Sequence, residues 1–266
     1  MGTISGNGYI STYTGDQIDA ALGKAINPDT VATQNSANLI TSGAVAKISA
    51  SGDISVYVAT TGNDTTGDGT QDNPYATPQK ALDSLPKFLN GHSAYVYIAP
   101  GTYTGITTIF GFNGGQIQFG DISGAGTVAL ENLFIYNTDD VVLFVDTLSG
   151  GTTSTGKLYI EASNVFLSKA LSIDGDSSYI GVYANFGTRL VTGYSMGITV
   201  SNCNIAILAM PGGAVNIYDT IAGSGNSTGL QSVGGLITFG AITLTATTLY
   251  IKASGGQILT GAGVNP

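Results

Sequence analysis

An all-β fold, built as a β-solenoid of stacked coils, is what this sequence predicts, and three observations lead there. Apolar residues alternate with polar ones in short runs, as in Ile117/Phe119, Leu158/Ile160, Val165/Leu167, Leu171/Ile173, Val215/Ile217 and Leu249/Ile251. A period of two buries one face of each strand and leaves the other polar. Gly-Gly opens a series of similar segments, GGAVNIYDTIAG, GGLITFGAITL and GGQILTGAG, whose second glycines Gly213, Gly235 and Gly256 lie about 21–22 residues apart. GGQIQFGDISG, at Gly114-Gly115, has the same form. Such a period, built of short strands, is that of a coil burying its inward side chains against the coils on either side. The third observation is compositional. Only 9% of the 266 residues are charged while 39 are glycine, so Ser, Thr and Asn in strands and turns carry the polar surface. A sandwich or meander accounts equally for the strand density, but gives no reason for Gly-Gly units at one interval.

Residues 1–52 stand apart as a helical attachment or trimerisation region. Thr14 is a good N-cap for a short helix with Ile18, Leu22 and Ile26 at helical spacing, ended by Asn27-Pro28. A second short helix follows Thr41-Ser42-Gly43, with Val45 and Ile48 on one face. Helices this short are marginal alone, so they pack either on the solenoid end or in a small multichain bundle. Residues 53–105 form the lead-in to the coils. They comprise a strand at Ser55–Ala59, the turn-rich TTGNDTTGDGTQDNP, a helix from about Thr77 to Leu89 interrupted by Pro86, and the strand AYVYIA. Residues 106–266 supply the coils, with strands in QIQFG, VVLFVD, KLYIEA, NVFLSKALSI, IAILAM, AVNIY, LITFG and TLYIKA.

Several function classes recede on composition. The net charge of −9, with a single arginine, Arg189, argues against nucleic acid. No apolar stretch is long enough for a membrane span. The N-terminus shows no basic and apolar leader pattern, so no secretory signal is expected. The lone Cys203 excludes an internal disulfide framework.

Residues 55–104, VYVATTGNDTTGDGTQDNPYATPQKALDSL followed by AYVYIAPGTYTG, resemble the opening segment of right-handed parallel β-helix proteins of the pectate-lyase-like superfamily. The resemblance implies a right-handed parallel β-helix whose open end is capped by the helix, with PGTY turning the chain into the first coil. It covers about a fifth of the chain and implies no particular activity. YTGDQIDAALGKAINPDTVATQNSANLITSGAVAKI is similar to segments near the start of phage tail-fibre and baseplate-attached proteins. That similarity implies a homotrimer on a virion, made in the bacterial cytoplasm. The N-terminal region would join other tail or baseplate proteins, and the rest would contact a host surface glycan or protein. No cofactor is expected.

Two function classes follow. The first is a non-enzymatic tail fibre or spike. The second is a tail-spike polysaccharide depolymerase, which requires a general acid and a base or nucleophile about 5–9.5 Å apart. The best local pair for it is Asp174 with Asp176. Asp139-Asp140 comes second, and Glu131, Asp146, Glu161 and Asp219 are within reach through stacking. Aspartate at a turn more often binds its own backbone, and no Lys/Arg cluster is present for a uronic acid. A surface adhesin is a third class, disfavoured by the missing leader. Exposed tyrosines stack on sugar rings, which makes Tyr179, Tyr183, Tyr194 and Tyr218 candidates for glycan binding. Asp64, Asp68 and Asp72 form an oxygen-rich loop and are weak metal candidates without calcium-loop spacing. His92 has no partner in sequence for catalysis, and Cys203 reads as a small buried apolar group.

Overall fold

The computed structural model describes residues 2–6, 9–13, 49–150, 156–175 and 179–261. The chain divides into two units, Met1–Ser49 and Ala50–Pro266. In the first, β1 (Gly2–Gly6) pairs antiparallel with β2 (Tyr9–Tyr13), from Gly2 opposite Tyr13 to Gly6 opposite Tyr9. The sequence reading placed no strand there. Its helical positions Ile18, Leu22, Ile26, Val45 and Ile48 lie outside the described residues.

The second unit is a parallel β-solenoid of about 7 turns, with three strand-bearing faces. The first face stacks β3 (Ile54–Val58), β4 (Ser93–Ile98), β6 (Gln116–Gly120), β8 (Asp140–Phe144), β11 (Asn164–Leu167) and β14 (Arg189–Thr192). It continues through the start of β17 (Ala214–Val233), the start of β18 (Leu236–Ala253) and β19 (Gln257–Thr260). The second face runs through the first parts of β5 (Gly101–Phe110) and β7 (Val128–Tyr136), then β9 (Thr147–Ser149), β12 (Leu171–Asp174) and β15 (Ile198–Ser201). The third uses the later parts of β5 and β7, then β10 (Leu158–Glu161), β13 (Ile180–Ala184) and β16 (Ile205–Ala209). β17 and β18 then turn both corners without a break.

Period-two alternation produces inward ladders. Ile117, Val141, Val165, Leu190, Val215, Ile237 and Ile258 sit one above another on the first face, all nearly inaccessible to water. Each coil therefore covers its neighbour's apolar side chains as well as pairing its backbone.

The corner into the first face explains the Gly-Gly repeat. The first glycine of each pair adopts positive φ: Gly114 (71°), Gly212 (77°), Gly234 (69°) and Gly255 (80°). The second lies against the preceding coil with no room for a side chain. A Cβ at Gly213 meets the Ala184 carbonyl oxygen at 2.5 Å, and one at Gly256 meets that of Ser232 at 2.3 Å. The same corner recurs where the sequence shows no Gly-Gly. Ala162 (φ 48°) and Gly187 (φ 65°) take the turn there, followed by the buried Ser163 and Thr188. The Thr188 hydroxyl donates to the Ile160 carbonyl at 2.9 Å, and the Ser163 hydroxyl accepts from the Thr138 N–H at 3.0 Å.

Between β3 and β4 the chain forms α1 (Pro78–Ser84). Thr77 caps it, accepting from the Lys80 N–H at 3.2 Å, and Pro78 suits the first turn. Ala81 and Leu82 are buried, and the helix packs on β3, β4 and β5. It ends at Leu85, short of the expected Leu89, because Pro86 has no N–H to continue it. The other sequence-expected strands are present, with NVFLSKALSI split into β11 and β12 by the corner at Ser168–Ala170. Among the described residues no helix is long and apolar enough to cross a membrane.

Candidate binding surface

The outward side of the first face carries two neighbouring ladders. Residue by residue along the pairing register, Gln116, Asp140, Asn164 and Arg189 occupy one. Val142, Phe166 and Val191 occupy the next outward position two residues on. Together they line a shallow groove of about 400 Å³. Phe166 is 41% exposed, so its ring is open to a ligand, whereas Val191 is nearly buried and forms floor. Among the described residues, the side chains of Asp140, Asn164 and Arg189 make no hydrogen bond or ion pair.

That distinguishes Asp140 from the other acids considered for catalysis. Asp139 accepts from the Gly114 N–H at 2.7 Å, Glu131 from the Gly105 N–H at 2.6 Å, and Asp174 from the Asn202 carboxamide at 2.8 Å. Asp219 accepts from the Thr220 hydroxyl at 3.1 Å. Glu161 accepts from the Tyr159 hydroxyl and, at 2.9 Å, from the Asn185 carboxamide. Asp146 accepts from the Val128 N–H at 2.8 Å and pairs with Lys169, also at 2.8 Å. Each fastens a corner or a neighbouring coil, as turn carboxylates do. Asp176, the intended partner of Asp174, lies outside the described residues.

Lys169 joins three segments. Its ammonium lies 3.3 Å from Asp121 and donates to the Gly126 carbonyl at 2.8 Å, in addition to Asp146. Burial pushes Asp121 up, but hydrogen bonds from the Gly126 and Ala125 N–H groups, the Ser123 hydroxyl and Lys169 outweigh it and hold the carboxyl below its usual range. Burial likewise pulls the Lys169 ammonium down, and the two carboxylates more than reverse this, raising it.

The four candidate tyrosines separate into different settings. Tyr194 and Tyr218 come together on successive coils, stacked with ring centroids 5.2 Å apart, and are 82% and 52% exposed. Tyr183 lies edge-on to Tyr159 on the third face at 5.0 Å. Tyr179 is buried, with the Lys157 ammonium 4.6 Å from its ring centre. Sequence reasoning missed a further tyrosine stair: Tyr57 and Tyr97 stack at 5.0 Å and 11°, with Tyr95 beside them at 6.1 Å. Tyr57 and Tyr97 border a second groove, about 420 Å³, with Pro74, Pro100 and Ile122.

The aspartate loop before α1 is engaged internally. Asp64 accepts from the Ala76 and Thr77 N–H groups at 2.8 and 3.0 Å and from the Thr77 hydroxyl at 2.7 Å. Burial pushes Asp64 up, but these bonds and the Lys80 charge prevail and lower it. Asp68 is lowered by the Thr70 hydroxyl and N–H, both donating to the same oxygen. Asp72 is exposed. No group of three or more His, Cys, Asp or Glu among the described residues is arranged to hold a metal ion. His92 sits 3.6 Å from Asp53 at the surface, and Cys203 is buried in the core.

The groove residues were legible in principle. Gln116, Asn164 and Arg189 each directly follow a corner pair (Gly114-Gly115, Ala162-Ser163 and Gly187-Thr188), so aligning those corners superposes them, whereas Asp140 stands one residue further from the Asn137-Thr138 corner. Comparison with family models, with curated proteins and with solved structures found no match to the chain.

Proposed function

We propose that this chain is a structural, non-enzymatic component of a phage tail fibre or spike. In this reading it attaches through its N-terminal region, assembles as a homotrimer and meets the bacterial surface with its solenoid. The role on a virion rests on the similarity of YTGDQIDAALGK and NLITSGAV to tail-fibre segments. The observation that carries the non-enzymatic part is the engagement of Asp139, Asp146, Asp174, Glu131 and Glu161 by the turns and neighbouring coils they fasten. A carboxylate fixed to a structural N–H is poorly placed to shuttle protons to a substrate. Stacked coils with continuous inward ladders also make a stiff support for a lateral contact surface.

The test is incubation of the purified chain with capsule and lipopolysaccharide from a panel of bacteria, following both retention and the release of reducing ends or unsaturated products. Retention without release is the expected result. Sustained release that disappears in Asp174→Asn overturns the non-enzymatic reading. Sedimentation equilibrium checks the trimer, and a monomer across the micromolar range removes it.

A further inference from the structure

We infer that the groove on the first face binds a linear acidic glycan along the solenoid axis, with an acidic group at Arg189 and sugar hydroxyls at Asn164 and Asp140. This rests on the surface-contact reading above and assigns it a site and a ligand class. The chain has one arginine, and it stands on the same outward ladder as Asp140, with Asn164 between them. Successive rungs of a sheet are ~4.8 Å apart, so the two residues' backbones are roughly 10 Å apart, and their side chains form no ion pair. A guanidinium and a carboxylate held out of contact on one line, each without a partner among the described residues, retain their full hydrogen-bonding capacity toward a ligand.

The ligand class follows from the chemistry of the rungs. Arg189 presents a planar fork suited to a carboxylate, sulfate or phosphate group. Asp140 accepts from paired hydroxyls, and the Asn164 carboxamide both donates and accepts. Beside them the exposed Phe166 ring offers a stacking face for the apolar side of a pyranose, over a floor of Val142 and Val191. One sugar unit is comparable in length to one rung, so an extended chain keeps step with the ladder. An acidic peptide meets Arg189 equally well, but gains little from a carboxylate rung and an aromatic platform. The protein's net charge of −9 repels acidic polymers at long range. At physiological salt that repulsion decays over ~8 Å, so contact with Arg189 decides.

The experiment is calorimetric titration of the whole chain with a panel of hexasaccharides. The panel comprises uronic-acid-containing, sialic-acid, sulfated and phosphate-bearing members, neutral N-acetylglucosamine hexasaccharide, and a hexaglutamate peptide. At least one acidic hexasaccharide is expected to saturate at one per chain. Arg189→Gln is expected to weaken it roughly tenfold or more, as loss of a charge-assisted pair does, with any neutral-sugar binding unchanged. Phe166→Ala is expected to weaken both. Both residues face outward, and unchanged thermal melting confirms intact variants. No binding by any acidic hexasaccharide overturns the inference. So does binding indifferent to both substitutions, or hexaglutamate binding that matches the glycans. Attachment of the same variants to the bacterial panel separates the two readings. Cell attachment that survives both substitutions removes the groove and leaves surface contact standing. Failure of the unaltered chain to attach to any cell removes surface contact, while the titration still decides the groove.

Discussion

The carboxamide of Gln79 acts as a surrogate peptide group for Thr108. Its Oε1 accepts from the Thr108 N–H at 2.7 Å, and its Nε2 donates to the Thr108 carbonyl at 3.4 Å. Thr108 belongs to β5, the first strand of the third face, which among the described residues pairs with β7 on one side and with no strand on the other. Unpaired edges invite association with other strands, and here one side chain from α1 supplies both the acceptor and the donor of a missing neighbour. Gln79→Ala is expected to cost about 1–2 kcal/mol, read as a lower denaturation midpoint with an unchanged slope. Gln79→Glu keeps the acceptor but brings a carboxylate against Asp83, now 2.9 Å from the Gln79 nitrogen. It is expected to be the weaker variant at pH 7 and to recover in acid.

The ion pair between Lys169 and Asp121 sets a pH window. Asp121 has a folded pKa below its ordinary 3.8, so its contribution is complete above that value and is lost as pH falls through the lowered folded pKa. Lys169 is raised above 10.5, so its contribution is complete below that value and is lost as pH rises through the raised one. Stability from this pair is therefore flat between about pH 4 and 10. Asp121→Asn is expected to cost about 2–3 kcal/mol at pH 7 and to blunt the acid limb of a pH–melting curve. An acid limb identical to the unaltered chain's refutes the assignment.

Corner geometry makes two opposite predictions for small substitutions. A Cβ at Gly235 lies 2.6 Å from the Met210 carbonyl oxygen and 2.9 Å from Ala209, both on the adjoining coil, so Gly235→Ala is expected to destabilise by about 2–4 kcal/mol. Ala162 holds a left-handed φ of 48° that costs an L-residue about 1–2 kcal/mol. Ala162→Gly returns part of that against its greater unfolded-state freedom, for a net gain of about 0.5–1 kcal/mol. Denaturant melts of the pair test both signs at once.

Two phenols resist ionisation. Tyr159 is pushed up to about 12, by burial first and then by its hydrogen bond to Glu161. Tyr103 is also pushed up to about 12 by burial, with its hydroxyl donating to the Ala99 carbonyl at 2.8 Å. In a spectrophotometric titration both are expected to remain protonated at pH 11 in the folded chain. Because the folded values exceed the ordinary 10.0, stability is complete below pH 10 and declines as pH rises toward 12. Tyr159→Phe is expected to remove one late-ionising phenol, and an unchanged late phase contradicts the assignment.

Much of the solenoid was legible because its two strongest constraints are local. Period-two alternation marked Ile117, Val165 and Val215 as inward, and the Gly-Gly pairs marked corners where a Cβ meets backbone. Corners built with Ala162-Ser163 and Gly187-Thr188 escaped notice, since a hydroxyl that bonds the adjoining coil does the work of a missing side chain by different chemistry. The groove was hidden with them, because Asn164 and Arg189 are counted from those corners. β7, β13 and β14 also went unassigned, because Asn132, Gly181 and Arg189 interrupt or abut their apolar alternation. Of the tyrosines, sequence distinguished none by exposure. Tyr179 and Tyr194 look alike in a turn-rich stretch, and only the coil stacking buries one and uncovers the other.

Because the last coils enter the first face through equivalent Gly-Gly corners, length behaves as an adjustable dimension of this protein. Excising the stretch from Gly213 to just before Gly235 joins like to like: the strand after Gly212 still begins at a tight glycine and still finds an apolar ladder above and below. Each such edit shortens the stack by one rung, ~4.8 Å, while the first coil and the Asp140–Asn164–Arg189 ladder are retained, with Leu236 taking the place of Ala214 beside Arg189. Reach and recognition can thus be changed separately in one polypeptide, by the number of coils and by what stands on a few of them.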